Sequence, residues 1–187
     1  MKVVVITGTP GVGKSTVLQK ALEEIEEEYM IVNFGDAMLE AALERGVVNN
    51  RDEMRRLDPH VQRDIQRLGG RKIAEIAKTK NVIVDTHATI KTSKGYLPGL
   101  PVWVLEELNP SIIVVVEADS MEISGRRSSD ETRKRDREDT MEIEEHQLLN
   151  KAAAIAYAVY SGATVAVIEN HDEGLLEAAK NLAAVLR

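Results

Sequence analysis

Apolar residues in this chain gather in five short runs, at 3–7, 30–34, 82–85, 112–116 and 164–168, set between longer stretches with helical spacing of apolar and charged positions. The runs show no polar alternation: Val3-Val4-Val5-Ile6 and Ile112-Ile113-Val114-Val115-Val116 are apolar at every position. Strands that are apolar on both faces belong in a sheet covered by helices on both sides, and such sheets are parallel. The stretches 14–28, 36–45, 58–78, 100–108 and 140–160 read as helices, with a last helix over 173–186 and Asp172 as its N-cap. The expected fold is α/β with three layers, a five-stranded parallel sheet covered by helices on both faces, built as a single domain over 1–187.

Composition narrows what such a fold does here. At 43% hydrophobic and 29% charged, the chain has the apolar side chains for a core and none of the bias of a disordered protein. Aromatic residues are 3%, so the core is packed from Val, Ile, Leu, Ala and Met, and base-stacking platforms for single-stranded nucleic acid are not expected. The net charge of −7 also argues against a nucleic-acid partner. With no cysteine, disulfides, thiolate metal sites and cysteine catalysis are excluded. The apolar run at 3–6 is too brief for a secretory segment or a membrane span, and a cytoplasmic location is expected.

The chemistry enters directly after the first strand. Gly8-Thr9-Pro10-Gly11-Val12-Gly13-Lys14-Ser15-Thr16 matches the phosphate-binding P-loop pattern, between a predicted strand and a predicted helix. Glycines let the backbone curl around a polyphosphate with N–H groups inward, and the helix that follows presents its positive end to the anion. Lys14 is placed to bridge the β- and γ-phosphates, Ser15 to coordinate Mg2+, and Thr16 to add a contact near the α-phosphate. Asp85 ends the apolar run Val82-Ile83-Val84, so its carboxylate is expected at the carboxyl edge of the sheet as a second anchor for the metal.

Two cationic segments complete the picture. Arg126-Arg127 and Thr132-Arg133-Lys134-Arg135-Asp136-Arg137 follow the fourth strand and its helix, and read as a flap that excludes water and brings positive charge to a transferred phosphoryl group. Between 40 and 71, Arg45, Arg51, Arg55, Arg56, Arg63, Arg67 and Arg71 alternate with acids where a small subdomain could project, or where a solvated helical hairpin would equally serve. His87 after the third strand is either a phosphate donor or a structural hydrogen-bonder. Gly95, Pro98, Gly99 and Pro101 mark a loop, Trp103 reads as packing, and Asn170-His171-Asp172 as a turn at the same sheet edge.

On these residues the chain resembles the adenylate kinases, specifically the short archaeal type, over nearly its whole length. The resemblance is carried by Gly8 to Thr16, Asn33-Phe34-Gly35-Asp36, Arg51-Asp52-Glu53-Met54-Arg55-Arg56-Leu57, Val84-Asp85-Thr86-His87, Gly125-Arg126-Arg127, the Arg133 segment and Glu145-His146-Gln147. It implies reversible transfer between ATP plus AMP and two ADP, with Mg2+ as cofactor, an AMP-binding subdomain near 35–75, a short lid near 126–138, and a homotrimer. Arg126 and Arg133 resemble lid arginines that hold transferring phosphates, and Gly35-Asp36 resembles the turn that opens the AMP subdomain. Three positions depart from the common bacterial pattern. Leu39-Glu40 stands where an arginine is usual, which leaves Arg51, Arg55 and Arg56 for the AMP phosphate; Thr86-His87-Ala88 follows Asp85; and Glu122 replaces an arginine that stacks on adenine. Without cysteine the lid has no zinc site.

A phosphate acceptor is an anion at neutral pH and needs no general base, whereas a hydroxyl acceptor calls for one. The rivals separate on this point. Another small P-loop kinase would act on a different nucleoside monophosphate, or on a hydroxyl-bearing metabolite with Asp36 as base, and a nucleotide-dependent switch or ATPase would need no acceptor. The tetrad Asn150-Lys151-Ala152-Ala153 lacks the aspartate of a guanine-reading motif.

Overall fold

In the computed structural model, which describes residues 1–129 and 139–187 apart from the side chains of Arg55 and Ser129, β1 (Val3–Gly8) is buried along its whole length. Val4 and Ile6 enter one apolar cluster, and Val3 and Val5 enter another. Both faces of the strand are core, and its one polar side chain, Thr7, is buried with a hydrogen-bond partner. β1 pairs with β3 (Asn81–Asp85) on one side and β6 (Ile112–Glu117) on the other; β2 (Tyr29–Asn33) lies beyond β3, and β7 (Thr164–Glu169) beyond β6. All four pairings are parallel. These strands are the five predicted runs, shifted or extended by one residue at an end.

One apolar cluster is closed by α1 (Lys14–Leu22) and α7 (Leu175–Leu186), the other by α3 (Pro59–Ala77), α4 (Val102–Leu108) and the later turns of α6 (Thr140–Ser161). Because β1 lies between strands reached in opposite directions, its carboxyl end opens onto a crevice, the usual ligand position in a doubly wound sheet. Between β2 and β3 the chain makes an arm of α2 (Phe34–Glu44), a 3-10 turn (Arg51–Arg56) and α3. The arm has its own small core around Ala42, Val48 and Ile65. α3 is shared: the Cα of Gly69 lies against the backbone of Met38 in α2, and that of Gly70 against Glu107 in α4. Trp103 adds to the α4 contact, donating to Gln66 at 3.0 Å under the Arg63 guanidinium.

The structure departs from the sequence expectation in several places, each for a local or tertiary reason. α1 stops at Leu22, not 28, because Glu23, Glu24, Glu26, Glu27 and Glu28 meet the negative end of the helix and repel one another at i,i+4. α2 begins at Phe34, since the Asn33 side chain accepts from the Asp36 N–H as its cap. The loop expected at 95–101 contains half of a hairpin, β4 (Thr89–Thr92) with β5 (Gly95–Pro98). The buried Asn150 of α6 holds it by accepting from the Thr89 N–H and hydroxyl at 3.0 and 2.6 Å. α4 starts at Val102 rather than 100, after Pro101. α5 (Ser120–Ser129) runs through Arg126 and Arg127, which are therefore helical and not part of a loop. α7 begins after Gly174, and Asp172 is not its cap.

Candidate active site

Gly8 closes β1 in register with Val116, and the chain then turns through Gly11 at φ +90° and Gly13 at φ +86° into α1. Side chains strain at both angles, which accounts for glycine there. Within the loop the Val12 N–H donates to the Thr9 carbonyl at 3.2 Å. Two other loop carbonyls are held from outside it. Pro10 accepts from Arg127 Nε at 2.7 Å, and Val12 accepts from Asn170 Nδ2 at 2.8 Å and from Arg126 Nη1 at 3.2 Å.

Lys14 opens α1 with its ammonium donating to the Thr86 carbonyl at 3.0 Å and ion-paired with Asp85. The strand register explains the pair: Ile6 of β1 lies opposite Asp85 of β3, so the carboxylate emerges beside the loop that β1 enters. Asp85 Oδ1 is buried and faces the Lys14 ammonium. Lys14, Ser15 and Asp85 form the polar end of a hollow of about 310 Å³, whose remainder is Leu18, Gln19, Leu22 and Ile31. A hydroxyl and a carboxylate on one wall are hard oxygen donors, and Mg2+ takes few protein ligands beside water and phosphate, so this set fits that ion. Among the described residues no cluster of three or more His, Asp or Glu forms a dedicated metal cage.

The segment after Asp85 is pinned on both sides. The Thr86 N–H donates to the Ile6 carbonyl at 3.1 Å, and the Ala88 N–H to the Thr7 hydroxyl at 2.6 Å. His87 between them keeps an exposed edge, yet protein crowds its ring. That crowding, with the nearby Lys14 charge, holds its imidazole below the ordinary value, while the Gly8 carbonyl and Asp85 pull the other way.

Behind the loop, Arg126 also reaches Asp172 at 2.6 Å and the Asn170 carbonyl at 2.9 Å. Asp172 thus anchors an arginine instead of capping a helix. Glu122 accepts from the Asp172 N–H at 2.8 Å and lies 3.2 Å from His171 Nδ1. The Asp172 N–H holds the Glu122 carboxyl below its usual range, and Glu122 first, then Glu169, raises the His171 imidazole.

The arm residues gather at the neighbouring strand end. Asn33 lies opposite Asp85 in register, and Gly35 and Asp36 follow it directly. Asp36 is ion-paired with Arg51, which also lies near Gly35. Arg56 is exposed in the same 3-10 turn. Arg55 is in that turn with its side chain outside the described residues, and Arg133 lies outside them altogether.

The fold is shared with shikimate kinase from Bacteroides thetaiotaomicron (TM-score 0.56, 13% identity, 99% of this chain and 98% of that one). A sugar kinase from Janibacter is also similar (TM-score 0.52, 17% identity, covering 96% and 92%). A family described as an AAA domain matches residues 7–144. An adenylate kinase of Methanocaldococcus jannaschii is 58% identical over 100% of this chain and 98% of its own length. The chain belongs to the adenylate kinase family. A second adenylate kinase, from Methanothermobacter thermautotrophicus, is 55% identical with 100% of both chains covered. In this chain the P-loop residues, Asp85 and Arg126 lie together, and Gly35, Asp36 and Arg51 form a second group. Sequence reasoning did not assign Arg127 and Asn170 to the loop. Asn170 is 158 residues from Val12, and no local pattern signals such a contact.

Proposed function

We propose that the chain catalyses reversible phosphoryl transfer, ATP + AMP = 2 ADP, directly and in line. The supporting observation is the P-loop with Lys14 and Asp85 at its mouth, in a chain that full-length relatives named adenylate kinase match at 54–58% identity. The bond between the γ-phosphorus and the β–γ bridging oxygen breaks as an oxygen of the AMP phosphate bonds to that phosphorus. No proton has to be removed from the acceptor, so positioning and charge carry the catalysis. Gly8 to Thr16 hold the ATP phosphates, with Lys14 exchanging the Asp85 carboxylate for phosphate oxygens. Arg133 supplies positive charge to the transferred group, and Arg126, from the last turn of α5, joins it only by leaving Asp172 and the Asn170 and Val12 carbonyls that it holds behind the loop. Gly35, Asp36, Arg51, Arg55 and Arg56 receive AMP on the arm over 35–75, and the lid covers 126–138. Ser15 and Asp85 would hold Mg2+, which would supply positive charge to the phosphate oxygens.

We further propose a homotrimer acting in the cytoplasm, with no nucleic-acid or membrane partner. No described helix is long and apolar enough to cross a membrane. Self-association is supported by α6, where Leu148, Ala152, Ile155 and Val159 lie exposed at coiled-coil spacing, Val159 by 82%.

The test supplies ATP and Mg2+ with AMP, CMP, UMP or GMP, beside a no-acceptor blank and a Lys14→Ala control. Two ADP for each AMP consumed, lost in the control, is the expected result. ATP turnover indifferent to the acceptor overturns the reading.

A further inference from the structure

The glycines that let the P-loop turn also leave it free to turn the wrong way. Gly11 and Gly13 sit at φ +90° and +86°, and a peptide group next to glycine rotates with little steric hindrance. A polyphosphate needs the N–H groups on one side before it arrives, because ordering them afterwards is subtracted from the affinity.

The peptide unit is planar and trans, so its C=O and the following N–H point in opposite directions. Whatever holds the Pro10 carbonyl therefore aims the Gly11 N–H, and whatever holds the Val12 carbonyl aims the Gly13 N–H. Arg127 Nε is 2.7 Å from the first carbonyl; Asn170 Nδ2 and Arg126 Nη1 are 2.8 and 3.2 Å from the second. All three donors approach from α5 and the turn after β7, so both N–H groups face away from those elements. The Arg127 stem also lies against Gly11, where an added Cβ would come within 2.8 Å of Arg127 Cγ. Asn170 is buried, and its own carbonyl accepts from Arg126 at 2.9 Å, which ties together the two donors on the Val12 carbonyl.

We propose that Arg127, with Asn170, is a positioning residue for phosphoryl transfer, fixing the Gly11 and Gly13 peptide groups with N–H toward the polyphosphate before it binds. It acts through the loop backbone. The inference rests on reading Gly8 to Thr16 as a polyphosphate site but not on which acceptor is used.

The test compares wild type, Arg127→Ala and Arg127→Gln by calorimetric titration with ATP and with inorganic tripolyphosphate. Amide spectra of Gly11 and Gly13 and the KM for AMP accompany it. Loss of a charged hydrogen bond predicts that Arg127→Ala weakens both ligands about tenfold or more, by the same factor. The Gly11 amide signal moves, and the KM for AMP does not. Arg127→Gln, which keeps an N–H donor without the charge, recovers a large part of the affinity. Unchanged tripolyphosphate binding or an unmoved Gly11 signal in Arg127→Ala overturns the proposal. So does an equal loss in Arg127→Gln with a shallower salt dependence, which means that the charge touches phosphate directly. If wild type makes no ADP from AMP, the acceptor reading fails while the tripolyphosphate comparison still decides this one.

Discussion

Replacing Thr7 by valine removes one hydrogen-bond acceptor and almost no volume. Thr7 is fully buried in β1, and its hydroxyl accepts from the Ala88 N–H at 2.6 Å, where Ala88 is itself 1% exposed. Valine keeps the branched shape and suits a strand, so no cavity opens and the backbone need not move. What remains is a buried N–H without a partner, a penalty of about 1–3 kcal/mol. Removing a buried hydroxyl returns part of this, about 0.5 kcal/mol, so the expected net loss is about 0.5–2.5 kcal/mol. For a chain of this size each kcal/mol lowers Tm by roughly 2–4 °C, which predicts a fall of about 1–10 °C. Urea and thermal unfolding of Thr7→Val beside wild type measure it, with an unchanged denaturant slope showing that only stability moved. Activity should fall as well, because the same segment presents the Thr86 carbonyl to Lys14. A variant as stable as wild type within about 0.5 kcal/mol refutes the claim that this bond holds the segment after β3 to β1.

Gly69→Ala is expected to destabilise although alanine adds about 1 kcal/mol of helix propensity, because its Cβ meets the Met38 backbone at 3.2–3.3 Å. Chemical unfolding should show Gly69→Ala destabilised by about 1 kcal/mol or more; a stabilised Gly69→Ala contradicts the packing of α2 on α3. His171, raised above 6.5 by Glu122, contributes stability that is complete below that value and lost as pH rises through its folded pKa. Glu122, lowered below 4.5, contributes above that value and fades as pH falls through its folded pKa. The Tm gap between wild type and His171→Gln should therefore be present between pH 4.5 and 6.5 and close as pH rises through the raised folded pKa, and a gap flat in pH refutes the pairing. Ile155→Glu places a charge in the exposed α6 stripe and should yield monomers by sedimentation at the 20.7 kDa chain mass, whereas an unchanged mass excludes that face as the interface.

The parts of the molecule legible in the amino-acid order are those that local physics determines. A run such as Val3-Val4-Val5-Ile6 has no partner but a doubly covered sheet, whatever the rest of the chain does. Gly11 and Gly13 declare a loop because other residues strain at positive φ, and Asp85 is placed by ending an apolar run. The end of α1 was legible too, in the five glutamates that follow Leu22, had charge been weighed above helical spacing.

Tertiary structure decided the rest, because the deciding partners lie far apart in the chain. The 89–98 hairpin has weak strand signals and depends on Asn150, 61 residues from Thr89. Asp172 has the chemistry of a helix cap, but the Arg126 guanidinium at 2.6 Å gives its carboxylate a stronger, charged partner. Arg127 and Asn170 become part of the P-loop only when α5 and the turn after β7 dock beside it, 117 and 158 residues from the carbonyls they hold. Backbone preference and burial act over a few neighbouring residues and can be read in order; which donor meets which carbonyl depends on how whole elements pack.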